Sequence, residues 1–442
     1  MVRKWKILSF LLMVILFSPL LIINMKPATT FVNALNFSWI RKYGGDNLDY
    51  GKSLVKCTDD GFAIIGSTKS FGAGNLDVWL IRTDDSGNLL WNKTYGGIDD
   101  DCGYALVECS DRGFALVGYT SSYGEGSSDF WLIRTDSYGN HLWNFTFGGD
   151  NEETGWALVE CDDGGFAIVG YTESFGNNPP YKDVLVVRTN ATGWHLWNCT
   201  YGGISQDWGF SIVRNNDGFI LGANTISFGS DSEWDIWLIQ INSFGIPLWN
   251  QTIGQRNRSE TGHSMVYSSD GGFTFVGHSI SWNDPDPSFQ LYYLHTDLSG
   301  NQVWNHTYSG CCGNSIIECS DDGFAIAGIY QSEVQVVRVD GNGNPLWSYY
   351  YGVDSYLHEG NAIIEHNDGF VITGMTDNNL LATDSSGDLL LLWIPDESPI
   401  IWSILPAIQS AGIWIVSGII IVGTIIIIFI LIKSRKMTSD AQ

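Results

Sequence analysis

Positive charge is what this chain has least of. It carries 22 Lys and Arg against 48 Asp and Glu, and charged residues of both signs make up only 16 % of its 442 positions. The resulting net charge of −26 repels phosphate, which excludes nucleic acid as a partner. Low charge combined with 19 Trp, 19 Tyr and 22 Phe excludes a disordered chain. Metal and redox motifs are also missing: there is no CxxC, zinc spacing, HExxH or HxH, no haem attachment motif and no D-x-D-x-D-G calcium loop. Proline is sparse at 11, whereas glycine reaches 51, and so much Gly and Trp does not suit long helices. Short strands joined by many turns are expected instead.

Both ends differ from the middle. Arg3, Lys4 and Lys6 precede an uncharged, mostly apolar run from Ile7 to Ile23, and Val32-Asn33-Ala34 offers a cleavage point. Residues 1–34 therefore read as a signal peptide, with an uncleaved anchor as the alternative. Near the other end, Ala411 to Ile432 contains no charge and is followed by Lys433, Arg435 and Lys436. Twenty-two helical residues rise about 33 Å, enough to span a bilayer core, and the basic stop puts the tail inside. The expected layout is an exterior segment 35–395, a linker 396–410, a transmembrane helix 411–432 and a cytoplasmic tail 433–442. The protein is accordingly expected at the cell membrane with its main domain extracellular. Sequons at Asn36, Asn92, Asn144, Asn190, Asn198, Asn250, Asn257 and Asn305 suit that address.

The middle repeats itself. A Gly-Phe pair recurs with its Gly at 61, 113, 165, 218, 272, 323 and 369, at intervals of about 46 to 54 residues. A Trp recurs at 39, 91, 143, 197, 249, 304, 347 and 393. Each copy holds four short apolar runs separated by turn residues, for example Ala105–Cys109, Phe114–Tyr119, Phe130–Thr135 and His141–Phe147. Four strands per copy and seven copies specify an all-β, seven-bladed β-propeller. The stretch 37–43 has a fourth-strand pattern but precedes any first strand, so it is expected to close blade seven from the opposite terminus. The run DLLLLWIP (388–395) reads as that blade's own fourth strand, shifted by two residues. The recurring Trp is expected to fill the gap between neighbouring sheets.

LIRTDSYGNHLW, LIRTDDSGNLLW, LHTDLSGNQVW and VRVDGNGNPLW resemble the tryptophan-docking repeat of quinoprotein-type propellers. The longer pattern DGGFAIVGYT…SFG…WLIRTD…GN.LW…GG is similar to secreted or surface repeat proteins of archaea and bacteria. That resemblance implies the propeller fold and leaves function open, because the fold hosts enzymes, scaffolds and binding modules.

A site is expected where the loops from strand two to three and from strand four to one share a face. The four-to-one loops carry Asp49, Asp101, Glu153, Asp207 and Glu260 two residues before a recurring Gly, with Cys311 and then His358-Glu359 in the last two copies. Acids converging on a channel mouth would hold or attract a cation, and calcium is the ion they would suit. Equally, each could cap its own loop. The two-to-three loops carry Phe71, Tyr123, Phe175 and Phe228 beside Gly, and Trp282 in the fifth copy. These aromatics would either meet a ligand or brace the loops. Cys57, Cys109, Cys161 and Cys319 share one repeat position, as small buried hydrophobes would. The adjacent Cys311 and Cys312 lie on the candidate face.

The expected function is a surface recognition or structural module with a carbohydrate, a protein or a cation as ligand. The alternative is an extracellular enzyme. A quinoprotein-type oxidoreductase is implied by the resemblance and the cysteine pair, and a glycan hydrolase by the many acids. No catalytic residue and no cofactor is assigned.

Overall fold

The computed structural model describes residues 39–396, apart from 177, 178, 180, 230–231, 282–287, 353–357 and 378–386. The amino-terminal signal or anchor, residues 397–410 of the linker, the apolar run 411–432, the tail and Trp282 lie outside the described residues. No helix among the described residues is long and apolar enough to cross a membrane.

Among the described residues, twenty-eight strands form seven four-stranded antiparallel sheets. Six blades are continuous in sequence: 49–95, 101–147, 153–201, 207–253, 258–308 and 312–351. The seventh pairs Trp39–Tyr43 with Gly387–Pro395, followed by Gly369–Asp377 and His358–His366. Its fourth strand therefore comes from the start of the chain, as expected. The run 388–395 is its third strand, not a displaced fourth one. The two-residue offset arose from aligning Trp393 with the repeat tryptophans, whereas Trp393 lies opposite Trp39, the true member of that series.

Both faces of every sheet are covered, which is why strands such as Phe62–Thr68 and Asp77–Thr83 are buried along their whole length. Successive side chains point to opposite neighbours. Phe62 and Ile64 join a core with Val371 and Leu391 of blade seven, while Ala63 and Ile65 join one with Leu106 and Phe114 of blade two. Seven such cores sit between successive blades, one per junction. Cys57, Cys109, Cys161 and Cys319 are buried in them.

Six of the seven fourth-strand Trp residues pack on the turn glycine of the following blade, and Trp347 packs on Tyr349 and Phe370. Trp39 lies against Gly87, Trp91 against Gly139, Trp143 against Gly193 and Trp304 against Gly343. Those glycines have φ near +70 to +82°, and a side chain there would meet the indole. In three blades a tyrosine four residues on donates to the same glycine carbonyl: Tyr43 Oη to Gly87 O, Tyr95 Oη to Gly139 O (2.7 Å) and Tyr201 Oη to Gly245 O (2.6 Å).

The third strands carry Arg82, Arg134, Arg188 and Arg338 opposite the repeat Trp. Each guanidinium reaches the hairpin joining strands one and two, where it ion-pairs Asp59, Asp111, Asp163 or Asp321. It also donates to strand carbonyls such as Phe324 O (3.2 Å) and Val339 O (2.6 Å). Gln240, His295 and Trp393 occupy the same place in blades four, five and seven.

Two irregularities recur. In all seven first strands the register against strand two slips by one residue just after the recurring glycine, for example between Gly155 and Ala157. In blades one to six the fourth strand slips likewise beside its Trp, for example between Trp197 and His195 opposite Arg188 and Thr189. A bulge of this kind re-aims one side chain per strand.

Candidate functional site

The surroundings of the candidate residues differ from those expected. Asp49, Asp101, Glu153, Asp207 and Glu260 are fully buried. The Asp49 carboxylate accepts from the Gly45 amide (2.8 Å) and from the hydroxyls of Thr68 and Ser70, the latter at 2.6 Å. Asp101 is held by Gly97 (2.7 Å), Thr120 and Ser122 (2.7 Å), and Glu153 by Gly149 (2.7 Å), Thr172 (2.7 Å) and Ser174 (3.0 Å). Asp207 repeats this with Gly203 (2.9 Å), Thr225 and Ser227 (2.6 Å). The carboxylates thus lie beneath their own loops, filled by loop donors, and do not converge on a channel mouth. Their partners form a second repeat signature, Thr-x-Ser-Phe/Tyr-Gly.

The aromatic of that signature completes the same unit. Phe71, Tyr123, Phe175 and Phe228 are 44 to 48 % exposed. Phe71, Tyr123 and Phe228 pack on Trp79, Trp131 and Trp237 of their own blades, with ring centroids 5.6, 5.5 and 4.7 Å apart. Tyr123 Oη also donates to Gly96 O (3.0 Å). They are braces with one face open to solvent.

In blades one to four a further acid, Asp77, Asp129, Asp183 or Asp235, opens the third strand and comes close to the next blade's buried carboxylate. Asp129 accepts from the Glu125 amide (2.7 Å); burial, with Glu153 nearby, pushes its carboxyl up to about 6. Burial likewise raises Glu260 to about 7. Cys311 and Cys312, both half-buried, have their sulfurs 3.3 Å apart at the start of blade six's first strand. Burial raises the Cys312 thiol. No group of three or more potential metal ligands occurs among the described residues.

The concave site lies deeper, along the axis where the first strands meet. The seven residues skipped by the first-strand bulges are Lys52, Tyr104, Trp156, Phe210, His263, Asn314 and Asn361. All seven line one cavity of about 460 Å³, together with Tyr171, Lys182, Trp208 and Asn224. Its wall is divided. On blades two to four it is aromatic: Tyr104 stacks on Trp156 (4.3 Å between centroids, 24°), and Trp156 remains 39 % exposed. On blades five to seven it is polar, and its side chains tie each blade to the next. His263 Nδ1 contacts Gly313 O (3.1 Å), Asn314 donates to Gly360 O (3.0 Å) and Asn361 donates to Gly51 O (2.9 Å). The sequence reading missed this ring. Its signal was variation, since the position after each recurring glycine differs in nearly every copy while its neighbours repeat.

Burial and pairing offset the charges at this wall. Burial lowers the Lys52 ammonium, against the opposing pull of Glu359. It also lowers His263 and brings His278, 5.0 Å from it, to about 3, so both imidazoles are neutral near pH 7. Lys182 lies 3.9 Å over the Tyr171 ring and is paired with Glu152 (3.5 Å) and Glu173 (3.8 Å). A cleft of about 390 Å³ shares Tyr104, Trp156 and Tyr171 with the cavity and adds Ser121, Ser128 and Glu152.

No family model matches the chain. A stretch of 197 residues is 25 % identical to the regulatory protein FlaEY of Caulobacter vibrioides, covering 39 % of this chain and 21 % of that one. The chain thus spans about a fifth of that relative. Among solved structures, the WD40 β-propeller domain of Doa1 aligns over 82 % of this chain and 97 % of its own, with a TM-score of 0.51 at 12 % identity. Sqt1 from Chaetomium thermophilum aligns over 81 % of this chain and 100 % of its own, with a TM-score of 0.45 at 9 % identity. The likeness to the Doa1 domain supports the propeller fold and nothing beyond it.

Proposed function

We propose that this chain is a membrane-anchored extracellular recognition module that takes a carbohydrate in its axial cavity. The observation that carries this reading is the divided wall, aromatic on one side and lined by amides on the other. An exposed indole stacked on a phenol offers a flat apolar platform, and amides, phenol hydroxyls and the His263 imidazole stand within the same 460 Å³. A pyranose has one apolar C–H face and a rim of hydroxyls, and it carries no charge to lose on entering a dehydrated cavity. Placement outside the cell rests on the charge-free run 411–432 with its basic stop and on the apolar run near the start.

The test is a glycan array probed with the full chain in lipid nanodiscs, followed by calorimetry on any ligand found. Trp156→Ala should weaken binding at least tenfold without lowering the melting temperature. Asp207→Asn should leave affinity within about twofold at a temperature where both variants are folded, and a calcium chelator should do the same. An array without hits, or hits insensitive to Trp156→Ala, would remove the reading. Loss of binding on chelation would restore a cation to the site.

A further inference from the structure

The fourth-strand bulges expose a side chain in the same place on six blades. The residue skipped beside each Trp is Leu90, Leu142, Leu196, Leu248, Val303 or Leu346, each 51 to 60 % exposed. A bulge at this point spends backbone pairing to turn an aliphatic group toward water in six of the seven blades, so the position is not a packing accident. These residues lie beside the hairpins joining strands three and four. On blades two, three and four those hairpins carry Tyr138, Trp194 and Phe244, 65 to 72 % exposed. The turn acid found elsewhere, such as Asp84 or Asp340, is replaced by Asn190 and Asn242 on blades three and four, where hairpins 190–194 and 242–246 contain no charge. The inner hairpins on the same face are acidic, yet Asp59, Asp111, Asp163 and Asp321 are each matched by a buried arginine.

Both described chain ends leave from this face. Trp39 begins a fourth strand beside the hairpin of Gly87, and Asp396 ends a third strand beside the blade-seven hairpin, its amide donating to Asp368 O (2.8 Å). Only the 14 residues 397–410 separate Asp396 from the apolar run at 411, a tether of at most about 50 Å. Aromatic hairpin tips and an aliphatic rim, on the face from which an apolar span departs, are the chemistry of a bilayer interface.

We infer that this hairpin face rests on the lipid surface, with Tyr138, Trp194 and Phe244 in the headgroup region and the opposite, carboxylate-braced loops turned away. The inference rests on the anchoring part of the proposed function and is independent of the ligand. It is tested with the full chain in phosphatidylcholine vesicles brominated near the headgroup end of the acyl chains. Vesicle flotation reports anchoring, and the difference in emission between the wild type and Trp194→Phe reports Trp194 alone. The inference expects flotation together with a blue-shifted, bromine-quenched Trp194 contribution, and slowed amide exchange of 136–140, 190–194 and 242–246 relative to 71–74. Flotation with an unquenched Trp194 overturns the inference and leaves anchoring intact, whereas absence of flotation overturns both. A detergent-solubilised dimer that Phe244→Ser dissociates would assign the face to a second copy instead, and would also overturn it.

Discussion

Trp39 and Trp393 stand opposite each other in the seventh blade, 354 positions apart in sequence and paired in register. Trp39 is the repeat tryptophan of that blade and packs on Gly87 and Phe62 of blade one. Trp393 takes the place that arginine holds in four other blades, and its indole donates to His366 O (3.3 Å). The ring is closed by this pair and its strands, so Trp39→Ala should be costly although Trp39 is only half-buried. A loss of about 2 to 4 kcal/mol in urea unfolding is expected, below that of a fully buried Trp.

Arg338 is the largest fully buried side chain among the described residues. Arg338→Ala leaves two strand carbonyls and Asp321 without their donor, so it should cost about 3 kcal/mol or more. Breaking the exposed Lys56–Asp60 pair with Lys56→Ala should change stability by less than about 1 kcal/mol. Denaturant midpoints at matched slope would decide this.

Two buried carboxyls make stability fall as pH rises through the weakly acidic range, against the buried histidines His263, His278 and His366, whose lowered values make it rise. Glu260 goes from an ordinary 4.5 to about 7 on folding and Asp129 from 3.8 to about 6, so the folded chain binds the extra protons. Raised carboxyl values stabilise fully below the unfolded values, and that contribution is lost between roughly pH 4 and 7. The turn carboxylates Asp84, Asp136, Asp297 and Asp340, held low chiefly by side-chain hydrogen bonds from the Asn four residues on, act in the opposite sense and only below that window. Thermal melts should show the wild type losing melting temperature relative to Glu260→Gln between pH 5 and pH 7.5, a difference in which the histidine contribution cancels.

Gly170→Ala tests how the cavity wall is held. A methyl there would strike the Thr154 carbonyl and backbone beside the bulge that presents Trp156. Either the bulge shifts or the strands part, so the expected result is lower stability together with a red shift of Trp156 emission. That emission is isolated as the difference between each protein and its Trp156→Phe counterpart. Gly164→Ala, at a half-buried turn with φ of +75° where a methyl would meet only the Ala191 methyl at 3.3 Å, should lower stability through backbone strain and leave the Trp156 emission where it was.

Much of the architecture was legible because its causes are local. Turn glycines, runs of strand formers and a recurring Trp are written into each copy, so the blade count and the closing strand 39–43 followed from spacing. The misplacement of 388–395 shows where this fails: Trp393 has the right residue type and nearly the right spacing, and only pairing against Trp39 tells a third strand from a fourth. The acids were found by position, but their partners were not. Thr68 and Ser70 reach Asp49 only across the turn of their own blade, and neither residue type announces a bond to a carboxylate.

The sequence by itself determined an all-β repeat, its number of units and its acidic, aromatic character, since these depend on composition and on contacts within about 50 residues. The tertiary structure decided which side chains face the axis and which face the rim. Lys52, Tyr104, Trp156, Phe210, His263, Asn314 and Asn361 reach one cavity because a single slipped residue per blade turns them inward, and a matching slip turns six aliphatic side chains outward. A strand alternates sides every residue, so one slip reverses the assignment, and that slip exists only once strands are paired.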